Sequence, residues 1–580
     1  MMALAYGNFN HLSQQLRFLL FEIGIGMTES AINHFITIAH RQCLQRLQQA
    51  AVMEGLMDRE ITSHHVHDFL DLLKIELKKS NPASAFNRWQ DLRNELDETI
   101  ANQALALAYR QHWQQTLRLH AKKYPSLWSW LCAQHDSSDI TQFLEQWGCI
   151  GHPYHPNFRA KMGFNRCEVM QYSPEFNALV RIHWAAIHRT ITHTSVNKKH
   201  YRQLLNYHFP EEYRRWAQAL HFKRLNPDNY YPLLLHPWQW RNKQHTLGAS
   251  LQDDKQLILV PHHQNTMPTM SFRTMMPLSN RGPHLKLAVD VHTTSSFRTV
   301  SPASIDNGPT VSSWVNHILA QHQYYEERLF LARDLAGINV THPAIPLHEK
   351  RQLAMLIREN PLNALKNSQQ LVPLAALFAP SPVSQTPLLL EIIEASQINP
   401  EDYFAAYCAI VLKGQMHLLL HYGIALEAHQ QNTLVIFENN QPKGLIIRDL
   451  GGIKICMHPL YNNVSKPELH PDSTITCTEL DELTNKFIHG NLQSNLGYWI
   501  KCLHSHYGLS RRILWQHVYQ TLQQQFTTLK TKTDRRLHQW HQQQLLSMPW
   551  HQKSLLTMRL NREPHIDVYT AIDNPLSTCS

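Results

Sequence analysis

The sequence contains few cysteines and glycines for its length. Its nine cysteines among 580 residues are an odd set without a CxxC pair. This argues against a disulfide framework or a zinc ribbon and favours a reducing, cytoplasmic location. Nineteen glycines are too few for a collagen-like, propeller-like or linker-rich chain. A globular protein is therefore the expected class.

Long uninterrupted hydrophobic runs are missing as well. The apolar stretch 16–27 contains Arg17 and Glu22 and has no basic segment before it, so it does not resemble a signal peptide. A second apolar stretch, 404–426, carries Lys413 and two histidines, which favours a buried helix over a membrane span. We expect no association with a membrane.

Several common nucleotide and metal signatures are absent from the sequence. There is no GxxxxGK[ST] loop, no GxGxxG after a strand and no HExxH motif. Lysine and arginine number 54 against 45 acidic residues, a net charge of +9. The basic residues are scattered, and the densest run, 530–536, also contains Asp534. We therefore expect no nucleic-acid partner, whereas a small anionic ligand would fit the charge.

The pattern of hydrophobic residues and prolines predicts three parts of the chain, 1–150, 151–380 and 381–580. The first part shows apolar residues at helical spacing and is expected to be a helical lobe. The second contains proline-punctuated segments and short apolar runs typical of strands, and it ends in the proline-rich stretch 373–387. The third begins with a long helical pattern, continues with two strand-like runs and ends in a helical tail. The predicted fold class is α+β.

Individual elements follow from the same periodicities. Helices are predicted at 32–50, 61–79, 86–117, 311–337, 401–422 and 480–548. Strands are predicted at 256–261, 269–274, 285–291, 433–438 and 444–449, the last two joined by a turn across 439–443.

Two copies of Ser-Phe-Arg-Thr, at 271–274 and 296–299, lie within 30 residues of each other. The serine and arginine of the first copy would share one face of the predicted strand. Arginine binds phosphate or carboxylate with two parallel hydrogen bonds, and hydroxyl groups can complete such a site. Arg273, Lys286 and Arg298 therefore indicate an anion site, although two sheet edges with ordinary polar faces would explain the same pattern.

Oxygen-bearing side chains cluster near the two C-terminal strands. Glu427 and Asn432 lie in the loop before the first strand, and Asp449 ends the second. Mg²⁺ prefers oxygen ligands and often bridges to phosphate, and protein kinases hold their metal ions with an Asn and a later Asp in the same order. A simple turn at 449–452 would also explain the second motif.

Six motifs in order resemble those of the IucA/IucC family, the aerobactin-type siderophore synthetases that work without nonribosomal peptide synthetases. The chain length fits this family, and the resemblance covers residues 150–455. The motifs are Gly-His-Pro-Tyr-His-Pro at 151–156, His-Pro-Trp-Gln at 236–239, Ser-Phe-Arg-Thr at 271–274, Lys286 with the second Ser-Phe-Arg-Thr, Glu-Ala-His-Gln-Gln-Asn at 427–432 and Arg-Asp-Leu-Gly-Gly at 448–452.

The resemblance implies a cytoplasmic ligase shaped like a cupped hand. Residues 1–150 would be a helical thumb, 151–380 the fingers with phosphate-binding strands, and 381–580 a kinase-like palm around a small sheet with an Mg/ATP loop and a helical tail. Such enzymes use ATP and Mg²⁺ to adenylate a carboxylate of citrate or a related polycarboxylate, and an amine or hydroxyl group then displaces AMP. A homodimer is the expected assembly.

The resemblance also implies roles for single residues. Residues expected to contact ATP, mainly its phosphates, are Ser271, Arg273, Thr274, Lys286, Arg298 and His429. Residues expected to hold the nucleotide and Mg²⁺ are Glu427, Asn432 and Asp449. The candidates near the acid substrate are His155 and Arg448, and the candidate catalytic residues are Arg273, Arg298 and His429. His236 and Gln239 are expected to fix the local fold, with Trp238 in the core.

Two departures from the family pattern stand out. Relatives usually carry Lys then Arg after the His-Pro-x-His-Pro motif, where this sequence has Arg159 then Lys161. The positive charge at both positions is kept, but the forked guanidinium group moves from the second position to the first. Leu450 stands where a Phe is usual, which is expected to change packing alone.

Two other functions fit parts of the sequence. A kinase-like phosphotransferase is suggested by the spacing of Asn432 and Asp449, although the Gly-rich loop and the His-Arg-Asp motif of kinases are missing. A non-catalytic basic protein that binds nucleic acid or acidic partners would explain the charge. The sequence leaves open the acid (citrate, a citrate monoamide or α-ketoglutarate) and the nucleophile.

Overall fold

Helices dominate both ends of the chain and strands dominate its middle, which confirms the predicted α+β class. The computed structural model describes residues 10–57, 63–80, 86–245, 251, 255–278, 282–294, 296–325, 328–343, 345–561 and 568–579. Its α-helices are Asn10–Glu22, Glu29–Met53, Val66–Ser80, Trp89–Ala121, Leu127–Gln134, Ser137–Trp147, Arg166–Tyr172, Lys198–His208, Pro210–Phe222, Pro237–Lys243, Pro302–Ala320, Leu347–Lys350, Leu374–Leu377, Leu388–Ser396, Pro400–His417, Leu480–Phe487, Gly497–Tyr507, Arg511–Leu529, Arg535–Leu546 and Leu555–Leu560.

The strands form separate sheets. In chain order they are β1 (Val180–His188), β2 (Thr192–Thr194), β3 (Tyr230–Leu235), β4 (Leu257–Pro268), β5 (Thr274–Pro277), β6 (His284–Leu287), β7 (Val289–Thr293), β8 (Ser296–Arg298), β9 (Leu329–Ala332), β10 (Asp334–Val340), β11 (Ala354–Arg358), β12 (Gln369–Pro373), β13 (Ile424–Ala425), β14 (Thr433–Glu438), β15 (Gln441–Arg448), β16 (Lys454–Cys456), β17 (Thr476–Cys477), β18 (Trp550–Lys553) and β19 (Tyr569–Ile572).

The largest sheet has eight antiparallel strands in the order β2-β10-β11-β6-β5-β4-β1-β3. It curls on itself, so that the edge strand β3 contacts β11: the backbone N–H of Leu234 donates to the sulfur of Met355 over 3.3 Å. Apolar residues of this sheet share one core with the helices Glu29–Met53 and Trp89–Ala121. Lys286, in β6 of this sheet, contacts Asp449, which directly follows β15.

A second sheet has the strand order β12-β14-β15-β9. Strands β14 and β15 pair antiparallel, and β15 runs parallel to β9. The predicted hairpin is confirmed, but its turn consists of Asn439 and Asn440 alone, at φ 50° and 62°. Asparagine tolerates this left-handed conformation, so a two-residue turn suffices and β15 begins earlier than predicted. Strand β15 ends at Arg448, and Asp449 follows it directly.

The predicted strand 269–274 is wrong. Residues 269–273 form a turn between β4 and β5, in which the N–H of Thr274 donates to the carbonyl of Ser271 over 2.9 Å. The N–H of Ser271 donates to the hydroxyl of Thr269 over 3.1 Å. Short hydroxyl side chains favour turns by such local bonds, and Ser271 and Arg273 therefore do not share a strand face.

The predicted helix 311–337 is correct only in its first part. The helix Pro302–Ala320 is followed by β9 and β10. Both strands are short, apolar and buried, and hydrophobic periodicity alone does not separate such strands from a buried helix.

The remaining predicted elements are confirmed with shifted ends. The helices predicted at 32–50 and 86–117 are present, and that predicted at 61–79 begins at Val66, with 61 and 62 outside the described residues. The strand at 256–261 is the first half of β4, and that at 285–291 divides into β6 and β7. The tail is helical, as predicted, in several separate helices.

One long apolar helix continues through a π-helical turn, Leu418–Tyr422. Within the described residues, Pro400–Tyr422 is the one helix that passes a length and composition test for a membrane span, and 72% of its apolar window is buried inside the protein. It belongs to a second core that also contains the helix Ser137–Trp147 and the C-terminal helices. Helix Trp89–Ala121 contributes to both cores. The thumb, fingers and palm division stays a prediction.

Candidate functional site

A cavity of about 230 Å³ lies where the turn 269–273, the end of β15 and the segment Ile488–Leu496 meet. The predicted site residues that line it are Ser271, Arg273, Thr274, Arg298, His429, Asn432, Arg448 and Asp449. Lys286 lines a neighbouring cavity of about 350 Å³, which shares Asp449 with the first. Most of the predicted residues are therefore brought together, from segments far apart in the chain.

Strand pairing places the three predicted cations. Thr274 of β5 pairs with Lys286 of β6, and the N–H of Leu287 donates to the carbonyl of Arg273 over 2.8 Å. Strand β7 follows β6 and pairs with β8, which ends in Arg298. The β5–β6 pair of the curled sheet therefore brings Arg273, just before β5, beside Lys286, and the separate β7–β8 sheet that follows carries Arg298.

The two guanidinium groups of this cluster are held by neutral acceptors. Nη1 of Arg273 donates to the carbonyl of Thr299 over 2.5 Å. Arg298 donates from Nε to the hydroxyl of Thr293 over 2.5 Å and from Nη2 to the hydroxyl of Thr294 over 3.0 Å. Burial and the charge of Arg298 lower the pKa of Arg273 to about 10, so it remains a cation at neutral pH. In the described part of the chain neither arginine forms an ion pair with a carboxylate. Burial lowers the pKa of both, and the charge of Asp449 partly opposes this effect. Two adjacent cations of this kind form a site for an anion.

Asp449 sits in a left-handed conformation, at φ 64°, directly after β15. Its Oδ1 accepts from Lys286 over 2.8 Å and contacts Nη2 of Arg358 over 3.3 Å. Burial alone would raise the pKa of Asp449, but Lys286 and Arg358 hold it well below its usual value. Asp449 is therefore a carboxylate that faces the cavity.

Arg358 was not among the predicted residues. It is buried at the end of β11, where its Nε donates to Asp334 Oδ1 over 2.7 Å, and it lines the cavity. The available signal was a lone charged residue that ends an otherwise apolar strand. Its contact with Asp449 depends on the pairing of β11 with β6, which the local sequence does not reveal.

Glu427 and Asn432 lie beside each other in the loop before β14. The amide of Asn432 donates to Glu427 Oε2 over 3.4 Å, and Lys486 donates to Glu427 Oε1 over 2.9 Å. Burial would raise the pKa of Glu427, and Lys486 lowers it below its usual value. Lys486, on the helix Leu480–Phe487, is a second residue that sequence reasoning missed.

The donor set fits Mg²⁺. Glu427 and Asp449 supply carboxylate oxygens and Asn432 an amide oxygen, which are the ligands this ion prefers. In the described residues, no three His, Cys, Asp or Glu side chains are close enough to hold a metal by themselves. Mg²⁺ commonly completes its shell with phosphate oxygens and water, so the set is suited to a metal that arrives with a nucleotide.

Gly452 allows Glu427 to take its position. A Cβ atom built at Gly452 would overlap the carboxylate of Glu427. We expect Gly452→Ala to displace this carboxylate. The turnover of the ligase reaction that the family resemblance implies should then fall about 100-fold, because displacements of about 1 Å have effects of this size. Gly26→Ala is the matched control, since a Cβ atom there meets nothing within 4 Å. Steady-state kinetics of both variants test this, and equal rates would remove Glu427 from the site.

Two histidines face the cavity in their neutral form. Burial lowers the pKa of His429, whose Nε2 lies 3.9 Å from Glu427 Oε2. Burial, Lys553 and Lys486 lower the pKa of His489 to about 3. In the described residues, Nδ1 of His489 is buried without a hydrogen-bond partner. His489 lies in the π-helical segment Ile488–Leu496, and one histidine among 40 gave no signal in the sequence.

The two candidates for the acid substrate are engaged by the protein. Arg448 pairs with the buried Glu145 through two contacts of 2.5 and 3.1 Å, and it donates to the carbonyl of Gln431 over 2.8 Å. His155 is 1% exposed, and its Nδ1 accepts from the N–H of Asn157 over 3.4 Å. Burial lowers the pKa of His155 to about 3. A role for either residue in acid binding stays a prediction.

The predicted supporting residues occupy structural positions. His236 precedes the helix Pro237–Lys243 and accepts from the N–H of Trp238 over 3.2 Å. Gln239 accepts from the N–H of Asp290 over 2.8 Å, and Trp238 is buried in the core. These contacts confirm their expected role in the local fold. Leu450 is buried in the other core.

Arg159 and Lys161, the pair that departs from the family order, share one partner at the cavity. Glu175 Oε1 lies 3.0 Å from Arg159 and 2.6 Å from Lys161. Burial would raise the pKa of Glu175, but the two cations lower it from 4.5 to about 2. The exchanged order of Arg159 and Lys161 is therefore compatible with a buried ion cluster around Glu175.

Replacing Glu175 by glutamine tests this cluster through pH. Because its folded-state pKa is depressed, the carboxylate stabilises the fold above pH 4.5 and loses this contribution as the pH falls toward about 2. We expect Glu175→Gln to lower the free energy of unfolding at pH 7 by about 3 kcal/mol. Urea denaturation of both proteins from pH 7 to 3 should show that the difference in the free energy of unfolding between parent and Glu175→Gln becomes smaller below pH 4.5. A difference that is constant with pH would contradict the assignment.

Comparison with known proteins finds similar sequences over most of the chain. The family model described as "IucA / IucC family" matches residues 140–379, and one described as "Ferric iron reductase FhuF-like transporter" matches residues 401–567. The D-ornithine–citrate ligase of Staphylococcus aureus is 25% identical over 607 aligned residues, which cover 95% of this chain and 88% of that protein. Both matched segments thus lie within one alignment. Residues 140–379 of this chain match the IucA/IucC family, and relatives with siderophore-synthetase names align with most of the chain.

Solved structures of IucA/IucC-like proteins share the fold. The petrobactin biosynthesis protein AsbB of Bacillus anthracis superposes with a TM-score of 0.75 at 20% identity, covering 90% of this chain and 83% of that one. ATP-bound aerobactin synthetase IucA of Klebsiella pneumoniae gives a TM-score of 0.69 at 22% identity, covering 88% and 86%. The mixed helical and curled-sheet architecture is therefore that of this family.

Proposed function

We propose that this protein is a member of the IucA/IucC family and an ATP- and Mg²⁺-dependent siderophore synthetase. It adenylates a carboxylate of citrate or a related polycarboxylate, condenses it with an amine or hydroxyl group, and releases AMP and pyrophosphate. The observation that carries the proposal is one cavity in which Arg273 and Arg298 face Asp449. The names of the D-ornithine–citrate ligase and of the ATP-bound relative support the substrate classes.

The cations reduce the electrostatic repulsion between the two substrates. ATP and a polycarboxylate are both polyanions, so they repel each other on approach. Arg273, Arg298 and Lys286 offset this repulsion and stabilise the charge that develops on the α-phosphate and on the departing pyrophosphate. One such contact contributes about 2.7–4 kcal/mol in the transition state. The guanidinium groups are already oriented by threonine acceptors, so little ordering is needed when the anions bind.

Asp449, Glu427 and Asn432 would hold Mg²⁺. The bound ion would neutralise charge on the phosphate oxygens. Lys286 and Lys486 keep the two carboxylates ionised, which a metal ligand requires. Arg358 fixes Asp449 from the side of β11.

The second half-reaction needs a nucleophile without its proton. His429 lines the cavity and is neutral at neutral pH because burial lowers its pKa. A neutral imidazole can accept the proton that an attacking amine loses. We therefore assign His429 to proton transfer and the two arginines to charge stabilisation.

The proposal includes the arrangement that the family resemblance implies. Residues 1–150, 151–380 and 381–580 would be thumb, fingers and kinase-like palm of a cytoplasmic homodimer. The cavity lies between the curled sheet and the β14–β15 hairpin, which belong to the last two of these parts. A site between lobes would protect an acyl adenylate from water.

The test is ATP–pyrophosphate exchange over a panel of polycarboxylic acids, followed by product analysis with a panel of amines. We expect exchange that depends on citrate or a close analogue, and AMP as the product with an amine. Formation of ADP would instead support the kinase-like phosphotransferase. Binding that weakens with salt, without acid-dependent use of ATP, would support the non-catalytic binding protein.

A further inference from the structure

Two cysteines lie side by side in the small sheet that follows Gly452. Cys456 is in β16 and Cys477 in β17, and the two residues are direct partners in a parallel strand pair. These strands belong to the three-stranded sheet β13-β16-β17. Both thiols are free and buried. Twenty residues separate the two cysteines in the chain, so no local sequence pattern indicates that they are neighbours.

The pairing meets the geometric condition for a disulfide. Neighbouring strands lie about 4.7–4.9 Å apart, and side chains at partner positions leave the sheet on the same face. Disulfides join residues whose Cα atoms are about 4.4–6.8 Å apart. A bond between Cys456 and Cys477 therefore requires side-chain rotation and no shift of the strand register.

The thiols also influence each other chemically. The neighbouring Cys477 thiol lowers the pKa of Cys456. Thiolate is the species that attacks a disulfide. The neighbouring thiol thus favours the reactive form of Cys456.

The position of β17 gives the pair a route to solvent. It is an edge strand of two residues, and Cys477 is 5% exposed whereas Cys456 is fully buried. Short edge strands open locally at low cost compared with the whole fold. A small disulfide can therefore reach the pair without global unfolding.

We propose that Cys456 and Cys477 are an oxidative modification site, which forms a reversible disulfide by exchange with a low-molecular-weight disulfide such as oxidised glutathione. The first thiolate attacks one glutathione sulfur, breaks the S–S bond and releases one glutathione thiolate. The second thiolate attacks the mixed disulfide and releases the other. Two cysteine thiols lose their protons and two electrons, and oxidised glutathione is reduced to two glutathione thiols.

The cross-link joins two segments that support the candidate site. Strand β16 follows Gly452, beside Glu427. Strand β17 leads into the helix Leu480–Phe487, whose Lys486 holds the Glu427 carboxylate. Oxidation of the pair would fix these segments to each other independently of any substrate.

The experiment uses full-length protein with Cys132→Ser and Cys167→Ser, which removes the two exposed thiols. The protein is equilibrated over a series of glutathione redox ratios, quenched with acid, denatured and alkylated with N-ethylmaleimide. We expect intact mass to show the loss of two alkylation sites as the buffer becomes more oxidising. Peptide mapping should show a linked pair of peptides with Cys456 and Cys477, and dithiothreitol should reverse it.

Two results would overturn the proposal. One is full alkylation of both cysteines at every ratio, and the other is stable glutathione on either cysteine in place of the internal bond. The added variant Cys456→Ser is the control for pairing, since its Cys477 should never appear in a linked peptide. The isolated buried Cys408 is an internal reference that should remain alkylated throughout.

Discussion

Arg298→Ala is expected to lower citrate-dependent ATP–pyrophosphate exchange by ~100-fold or more, with a much smaller effect on thermal stability. The guanidinium is held by the hydroxyls of Thr293 and Thr294 and has no carboxylate partner in the described residues. Its loss therefore breaks no ion pair of the fold, whereas it removes a charge from the cavity in which the α-phosphate would react. Arg273→Ala should behave in the same way, because its guanidinium is likewise held by a neutral acceptor, the carbonyl of Thr299.

Two further variants make the result specific. Arg298→Lys keeps the charge and loses the forked geometry, so we expect it to recover part of the exchange activity. Arg214→Ala removes an exposed arginine that is paired with Glu211, and it should leave both exchange and melting temperature unchanged. If Arg298→Ala lowered stability and exchange to the same degree, the residue would be part of the scaffold and the anion site would lose its central member.

The sequence predicted this group of cations because its members lie in recognisable short motifs. It predicted less well the local backbone structure on which they lie. In the turn at 269–273 the hydroxyl of Thr269 accepts from the N–H of Ser271. Such a bond competes with strand geometry and has no effect on hydrophobic periodicity. The cations were therefore correctly grouped but placed on the wrong local structure.

The supporting residues were out of reach for a different reason. Arg358, Lys486 and Glu145 act through partners that are distant in the chain, such as Asp449 for Arg358. Such contacts are fixed by strand order and helix packing, which a single sequence does not encode in any local pattern. Arg448 shows the consequence most clearly: its motif predicts contact with substrate, whereas its guanidinium is paired with buried Glu145.

Asp449→Asn is expected to abolish the response of turnover to Mg²⁺ and to lower turnover by about 100-fold. Asparagine keeps the size of the side chain and removes its charge. Lys286 and Arg358 hold the carboxylate from one side, so its charge both offsets two cations and remains available to a metal on the cavity side. Neutralising it should weaken metal binding and, to a smaller degree, the fold.

Metal titration separates these two effects. Parent and Asp449→Asn are assayed over a range of Mg²⁺ concentrations after circular dichroism has confirmed equal helix content. Asp334→Asn is the matched comparison, because Asp334 pairs with the same Arg358 but does not line the cavity with Asn432 and His429. It should lose stability and keep the Mg²⁺ response of the parent. An unchanged Mg²⁺ response in Asp449→Asn would mean that Asp449 only neutralises Lys286 and Arg358 and is not a metal ligand.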